Sequence, residues 1–235
     1  MRIDRFLSSL PQGSRKQART WLAKGQVMVE DEIVNDPLLE VTPFTQIRLN
    51  GQALQTRQAR YLMLHKPQGY LSATRDPQHP TVIELLNEPQ PQQLHIGGRL
   101  DRASTGLLLI TDDGRWSRHL TEPDKKIAKV YRVETANDID PDTARRFEEG
   151  IYFGFEDITT KPVQLEQLGP RLARLTLIEG RYHQIKRMFG RFRNPVIALH
   201  REKMGAIALD PALAPGEYRH LTAAEIDSIG VTSQS

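Results

Sequence analysis

Apolar residues at Ile3, Phe6, Leu7 and Leu10 recur at helical spacing, and Pro11 with Gly13 ends the run. Ser14 follows as an N-cap, so the pattern predicts a second helix with Ala18, Trp21 and Leu22 on its apolar side and Gly25 just past its end. The period then shortens to two. QVMVEDEIV and TQIRLNGQAL alternate as strands, with Asn50-Gly51 as a hairpin turn. After Leu54 the chain turns polar, and the stretch from Gln52 to Arg60 (QALQTRQAR) is expected to be a linker. These signals place a small helix-pair-plus-strands domain at residues 1–55, a linker at 56–60 and a larger domain at 61–235.

The larger domain opens with YLMLHKPQGYLSAT, which predicts an apolar strand, a Lys-Pro-Gln-Gly turn and a second strand. A short helix is expected over 82–86, and NEPQPQQ after it is expected to be disordered. Strand signals return at 107–111, 129–135, 163–168 and 172–178. Helices are expected after Pro141, from Tyr182 to Phe189 and from Thr222, where Thr222 and Glu225 match a capping box. Many strands and few helices, without strict alternation, predict an α+β domain with a mainly antiparallel sheet.

Composition narrows the chemistry. The 235 residues contain no cysteine, which removes disulfides, thiolate zinc sites and thiol nucleophiles together. No apolar run is long enough to span a membrane and the N-terminus has no signal core, so a cytoplasmic protein with no membrane partner is expected. The net charge is only +3, yet it is concentrated. Residues 1–29 carry Arg2, Arg5, Arg15, Lys16, Arg19 and Lys24 against Asp4 alone. Residues 181–203 carry Arg181, Lys186, Arg187, Arg191, Arg193, Arg201 and Lys203 against Glu202 alone. Each segment alone reads equally well as a solvated helix face; two of them point to a long anionic partner such as nucleic acid. In the second predicted helix Arg15 and Arg19 share a face, with Lys16 beside them.

Three short stretches could carry chemistry. GGRLDRASTGLLLITDDG (97–114) sets Arg99, Asp101 and Arg102 between a glycine pair and a buried-looking strand. An unpaired acid so near a core is costly, so Asp101 either caps a turn or pairs with Arg102 on a surface loop, or serves an active site. Phosphate-loop and dinucleotide fingerprints are absent. A metal-dependent nuclease using Asp101, Asp112 and Asp113 is weaker, because DDG reads as a turn after a strand. EGRYHQIKRMFGRF (179–192) predicts a helix with a packing stripe at Ile185, Met188, Phe189 and Phe192; His183 has no partner at metal-ligand spacing and reads as a polar or structural histidine. In KVYRV (129–133), Tyr131 is either a half-buried sheet residue or a ring for stacking on a base.

Taken in order, GRLDRASTGLLLITDDG, KVYRV and EGRYHQIKRMF resemble the motifs of bacterial ribosomal RNA pseudouridine synthases of the small-subunit type. HKPQGYLSAT and DPQHPTV add to the likeness, and the first 50 or so residues are similar to the ribosomal-protein-S-four type of RNA-binding domain. The resemblance implies isomerisation of a flipped-out uridine in 16S rRNA, at uridine 516, with Asp101 as the catalytic residue. It implies that Arg99 holds the RNA around that uridine, that Tyr131 stacks on its base, and that Lys186 pairs with the acid, with Ile185 beside it in the substrate site. Arg2, Arg5, Arg15, Lys16, Arg19 and Arg187 are the expected RNA-docking residues. The reaction is redox-neutral, so no metal and no cofactor are expected. The expected partner is small-subunit RNA in a partly assembled particle, bound by a monomer. Two alternatives remain: a large-subunit synthase, and a non-catalytic assembly factor. The chain departs from the family pattern at Lys186, where many relatives have arginine, and at His65, where asparagine is expected.

Overall fold

The computed structural model describes residues 1–55 and 58–230, which fall into two compact units divided between Ala59 and Arg60. The first begins with helices α1 (Ile3–Ser8) and α2 (Arg15–Ala23). Ser14 caps α2 by accepting from Gln17 N at 3.1 Å, and Gly25 takes the left-handed conformation beyond its end (φ 64°). Strands β1 (Val27–Val29), β2 (Glu32–Ile33), β3 (Ile47–Leu49) and β4 (Gln52–Gln55) form an antiparallel sheet in the order β2-β1-β3-β4. Asn50 and Gly51 both have positive φ, as a tight hairpin turn between β3 and β4 requires. Ile3, Leu7, Ala18, Leu22, Val27 and Ile47 make its core. The polar stretch from Gln52 begins as a strand rather than a linker, because it pairs with β3. The expected linker at 56–60 falls partly on residues 56–57, outside the described residues.

The second unit runs through β5 (Tyr61–Lys66), β6 (His95–Gly97), β7 (Thr105–Thr111), α3 (Gly114–Thr121), β8 (Lys129–Thr135), α4 (Thr143–Glu149), β9 (Tyr152–Phe153) and β10 (Ile158–Thr159). It continues with β11 (Gln164–Gly169), β12 (Leu172–Leu177), α5 (Gln184–Gly190), β13 (Val196–Met204), β14 (Ile207–Ala208), β15 (Tyr218–His220) and α6 (Ala223–Asp227). One mixed sheet has the path β11-β12-β8-β13-β7-β5-β15, with β14 beside β13 and β6 beside β7; β9 and β10 form a separate hairpin. Only β7 and β13 run parallel among the described pairs. The fold is therefore the expected α+β, mainly antiparallel type. Leu107, Leu108, Leu109 and Ile110 are all fully buried because both faces of β7 are covered. Leu108 and Ile110 join Leu62, Leu64 and Val133 on one face, while Leu107 and Leu109 join Met63, Trp116 and Met204 on the other.

Three local expectations need correction. No strand follows the Lys-Pro-Gln-Gly turn; only Leu71 makes a bridge, to Thr81. The NEPQPQQ stretch is held rather than disordered: Pro91–Gln93 form a 3-10 turn, Arg60 donates to the Pro89 carbonyl, and Glu88 faces Arg60 and His220. Asp113 is less a simple turn residue than the N-cap of α3, accepting from Arg115 N at 2.8 Å and Trp116 N at 3.2 Å.

Candidate active site

Asp101 sits on the loop between β6 and β7, and the sequence on either side explains how that loop is fixed. Gly98 adopts φ 91°, and a Cβ there would lie 3.1 Å from Met204 Cε. Ser72 clamps Leu100 from both sides, accepting from its N–H at 3.1 Å and donating to its carbonyl at 2.8 Å. Asp101 therefore follows a residue with no freedom to turn. From beneath, the fully buried Lys66 donates to the carbonyls of Ser104 (2.7 Å), Pro67 (3.0 Å) and Arg102 (3.4 Å). Burial pushes this ammonium down to about 8, opposed by the charge of Asp101. The His-Lys-Pro-Gln-Gly turn thus supports the loop of the acid, a role its composition did not reveal.

The third motif supplies the facing wall. Glu179, a buried carboxylate, accepts from Gln184 Nε2 at 2.6 Å and from Lys161 N at 2.9 Å, and Gln184 in turn accepts from Arg181 N at 3.0 Å. This bracing fixes the start of α5, where His183 takes a left-handed conformation (φ 49°). Lys186 Nζ then reaches Asp101 Oδ2 at 3.0 Å, and His183 Nε2 approaches the same oxygen at 3.4 Å. No hydrogen bond reaches Oδ1 among the described residues. Lysine makes one point contact here rather than the two-pronged contact arginine offers. The sequence reading assigned no such contact to His183.

These side chains line a cleft of about 90 Å³ together with Arg99, Tyr131 and Ile185. Arg99 is exposed at its mouth and Ile185 is buried in its wall. Tyr131 is 8% exposed and its hydroxyl lies 3.4 Å from Arg201 Nη1. Arg201 itself is 1% exposed, and donates to the Leu107 carbonyl at 2.8 Å and the Gly98 carbonyl at 2.9 Å. It was counted above in a basic segment facing RNA; it is instead an internal fastener joining three parts of the site. Gly106 makes this possible, since a Cβ there would stand 2.3 Å from the Arg201 carbonyl oxygen.

The expected docking residues divide. Arg5, Arg15, Lys16 and Arg19 are exposed in the first unit, and Arg15, Lys16, Arg19 and Lys24 line an open depression of about 690 Å³ on α2. It is larger than the cleft but has no acid among its lining residues. Arg2 pairs with Asp4. Arg187 is not a free phosphate ligand: both its terminal nitrogens bind Glu156 at 2.6 Å, and its guanidinium lies 3.7 Å over the Phe153 ring. The nuclease alternative loses its acids, because Asp112 binds Arg60 and Asp113 caps α3.

Residues 60–190 match the family model described as RNA pseudouridylate synthase, and residues 1–52 match the S4 domain. The first match spans more than half of the chain, which places it in the pseudouridine-forming class of isomerases. Ribosomal small subunit pseudouridine synthase A of Pseudomonas aeruginosa is 54% identical over 230 residues, covering 97% of this chain and 100% of that protein. The protein of the same name from Yersinia pestis is 46% identical over 231 residues, covering 98% of each. A crystal structure of a pseudouridylate synthase is 36% identical, with a TM-score of 0.71 over 97% of this chain and 99% of that one. The chain belongs to the small-subunit rRNA pseudouridine synthase family.

Proposed function

We propose that this enzyme converts uridine 516 of small-subunit (16S) ribosomal RNA into pseudouridine, with Asp101 as the catalytic residue. The observation that carries the assignment of Asp101 is its ion pair with Lys186 at 3.0 Å in a cleft that also holds Tyr131. The small-subunit target rests on the names of the two relatives above. In the reaction the bond from ring nitrogen one to the sugar breaks, the uracil turns over, ring carbon five bonds to the same sugar carbon and releases its proton, and nitrogen one takes up a proton from solvent. Asp101 acts as nucleophile or as base to a sugar proton. Either role needs the target nucleotide out of its stack, at a cost of a few kcal/mol, part of which stacking on Tyr131 offsets. Lys186 and Ile185 hold the acid side of the base and Arg99 the RNA at the mouth. The isomerisation is redox-neutral, so the proposal asks for no metal or organic cofactor. The enzyme acts as a monomer in the cytoplasm, on a particle only partly assembled, where the RNA is still open.

Tritium release from uridine labelled at ring carbon five tests this in small-subunit and large-subunit RNA separately. Release is expected from the small-subunit RNA, and none with Asp101→Asn, whose RNA affinity stays within about tenfold, roughly 1.4 kcal/mol. Comparable turnover by that variant removes Asp101 from the mechanism. Tight, salt-sensitive binding without release from either RNA favours a non-catalytic assembly factor.

A further inference from the structure

Among the described residues, the two most exposed large apolar side chains are Phe155, at 99%, and Tyr182, at 77%. They come from different parts of the chain, yet one arginine ties both to the active-site helix. Phe155 projects from the turn between β9 and β10, and its neighbour Glu156 takes both terminal nitrogens of Arg187 at 2.6 Å. The same guanidinium covers the buried Phe153 ring at the foot of that hairpin and reaches the Tyr182 carbonyl at 3.4 Å. Tyr182 is stacked on His183 with ring centroids 3.9 Å apart and planes 20° from parallel. His183 lies 3.4 Å from Asp101. Two stacked rings therefore lead outward from Asp101, and Phe155 is joined to them through the Glu156–Arg187 pair.

We propose that Phe155, Tyr182 and His183 form a stacking rim for the unpaired nucleotides next to the flipped uridine. This inference rests on the RNA substrate proposed above and adds how its neighbours are held. Extruding one nucleotide leaves the adjacent bases without a stacking partner, and exposed rings supply one whatever the base. Charge argues the same way: Glu156 neutralises Arg187, so this part of the rim offers ring faces in place of a phosphate grip. A protein partner fits less well, since such docking favours a contiguous apolar patch. Here the chain neighbours of the rings, Gly154 and Glu156 beside Phe155 and Arg181 beside Tyr182, are glycine or charged.

The test measures tritium release by the full-length enzyme carrying Phe155→Leu, Tyr182→Leu, Phe155→Trp or Tyr182→Phe, on small-subunit RNA without protein and on a partly assembled particle. Leucine keeps the apolar bulk and removes the π face. Each leucine variant is expected to raise KM roughly tenfold with kcat within about twofold, while the aromatic replacements stay near wild type. The salt dependence of binding is expected to stay unchanged, because no phosphate contact is lost. Fluorescence of the Phe155→Trp enzyme, corrected by the wild-type signal, is expected to be quenched by the RNA. Leucine variants with wild-type KM, or absent quenching on bound RNA, overturn the rim. A defect confined to the protein-containing particle assigns these rings to a protein partner and overturns it as well. If the wild type releases no tritium, the substrate assignment fails by itself, and quenching still reads the rim.

Discussion

Arg201 shows how far a residue's meaning depends on where it is buried. In the sequence it is one more cation in a basic segment; in the fold it is 1% exposed and its fork reaches the Leu107 and Gly98 carbonyls and the Tyr131 hydroxyl. A buried guanidinium is tolerated only when its donors are matched, and lysine cannot match a planar fork. Arg201→Lys is expected to cost about 1–3 kcal/mol in urea unfolding, because buried carbonyls lose their donors. It should also lower kcat, because Tyr131 and the Gly98 turn lose a common tether. Wild-type stability and turnover in this variant would show that the fork holds nothing. Lys66 follows the same logic, a buried ammonium matched to three carbonyls beneath the loop of Asp101. Neither role has a mark in the local sequence, since both depend on carbonyl groups, which every residue carries.

Elements were legible where a local signal sets backbone angles. The Ser14 cap, the Asn50-Gly51 turn and the capping box of Thr222 with Glu225 all appear where they were expected. Helix α3 was missed because its capping acid, Asp113, resembles a turn residue until the following N–H groups are seen to point at it. Strand β13 was missed because His200, Arg201 and Lys203 break its apolar pattern, and its inward arginine is matched by carbonyls of β7 and of the turn after β6. The α6 cap makes a measurable prediction. Arg219 holds the Glu225 carboxyl down to about 2, with hydrogen bonding from Thr222 adding to it and burial opposing it. A folded value below the unfolded one of roughly 4.3 means that this stabilisation is complete above about pH 4.5 and is lost as pH falls toward 2. Glu225→Gln is therefore expected to cost about 1–3 kcal/mol at neutral pH, allowing for partial exposure. Its difference from wild type should shrink as unfolding is followed from pH 6 to pH 3, and a constant difference would mean that the cap acts without its charge.

At the scale of the whole molecule, the residues that match the synthase family and the α2 basic face lie in separate units. Arg15→Ala with Arg19→Ala is expected to weaken RNA binding and to flatten its salt dependence by roughly 1.4 to 1.8 in log–log slope, the loss of about two phosphate contacts. Binding measured across a salt series checks this, and an unchanged slope would mean that α2 touches no phosphate. The site itself divides along the same line between local and distant information. By itself, the sequence determined the caps, the hairpin, the fully buried β7 run and the motifs by which the family can be recognised, because these depend on backbone preference and spacing over a few residues. Only the tertiary structure decided that His183 joins Lys186 at the same Asp101 oxygen, what Lys66 and Arg201 support, and that Arg187 ties two exposed rings to the site helix. Lys186 and Asp101 are 85 residues apart, and Arg201 and Tyr131 are 70 apart. Contacts across such distances arise from sheet order and strand register, which no short stretch of sequence encodes.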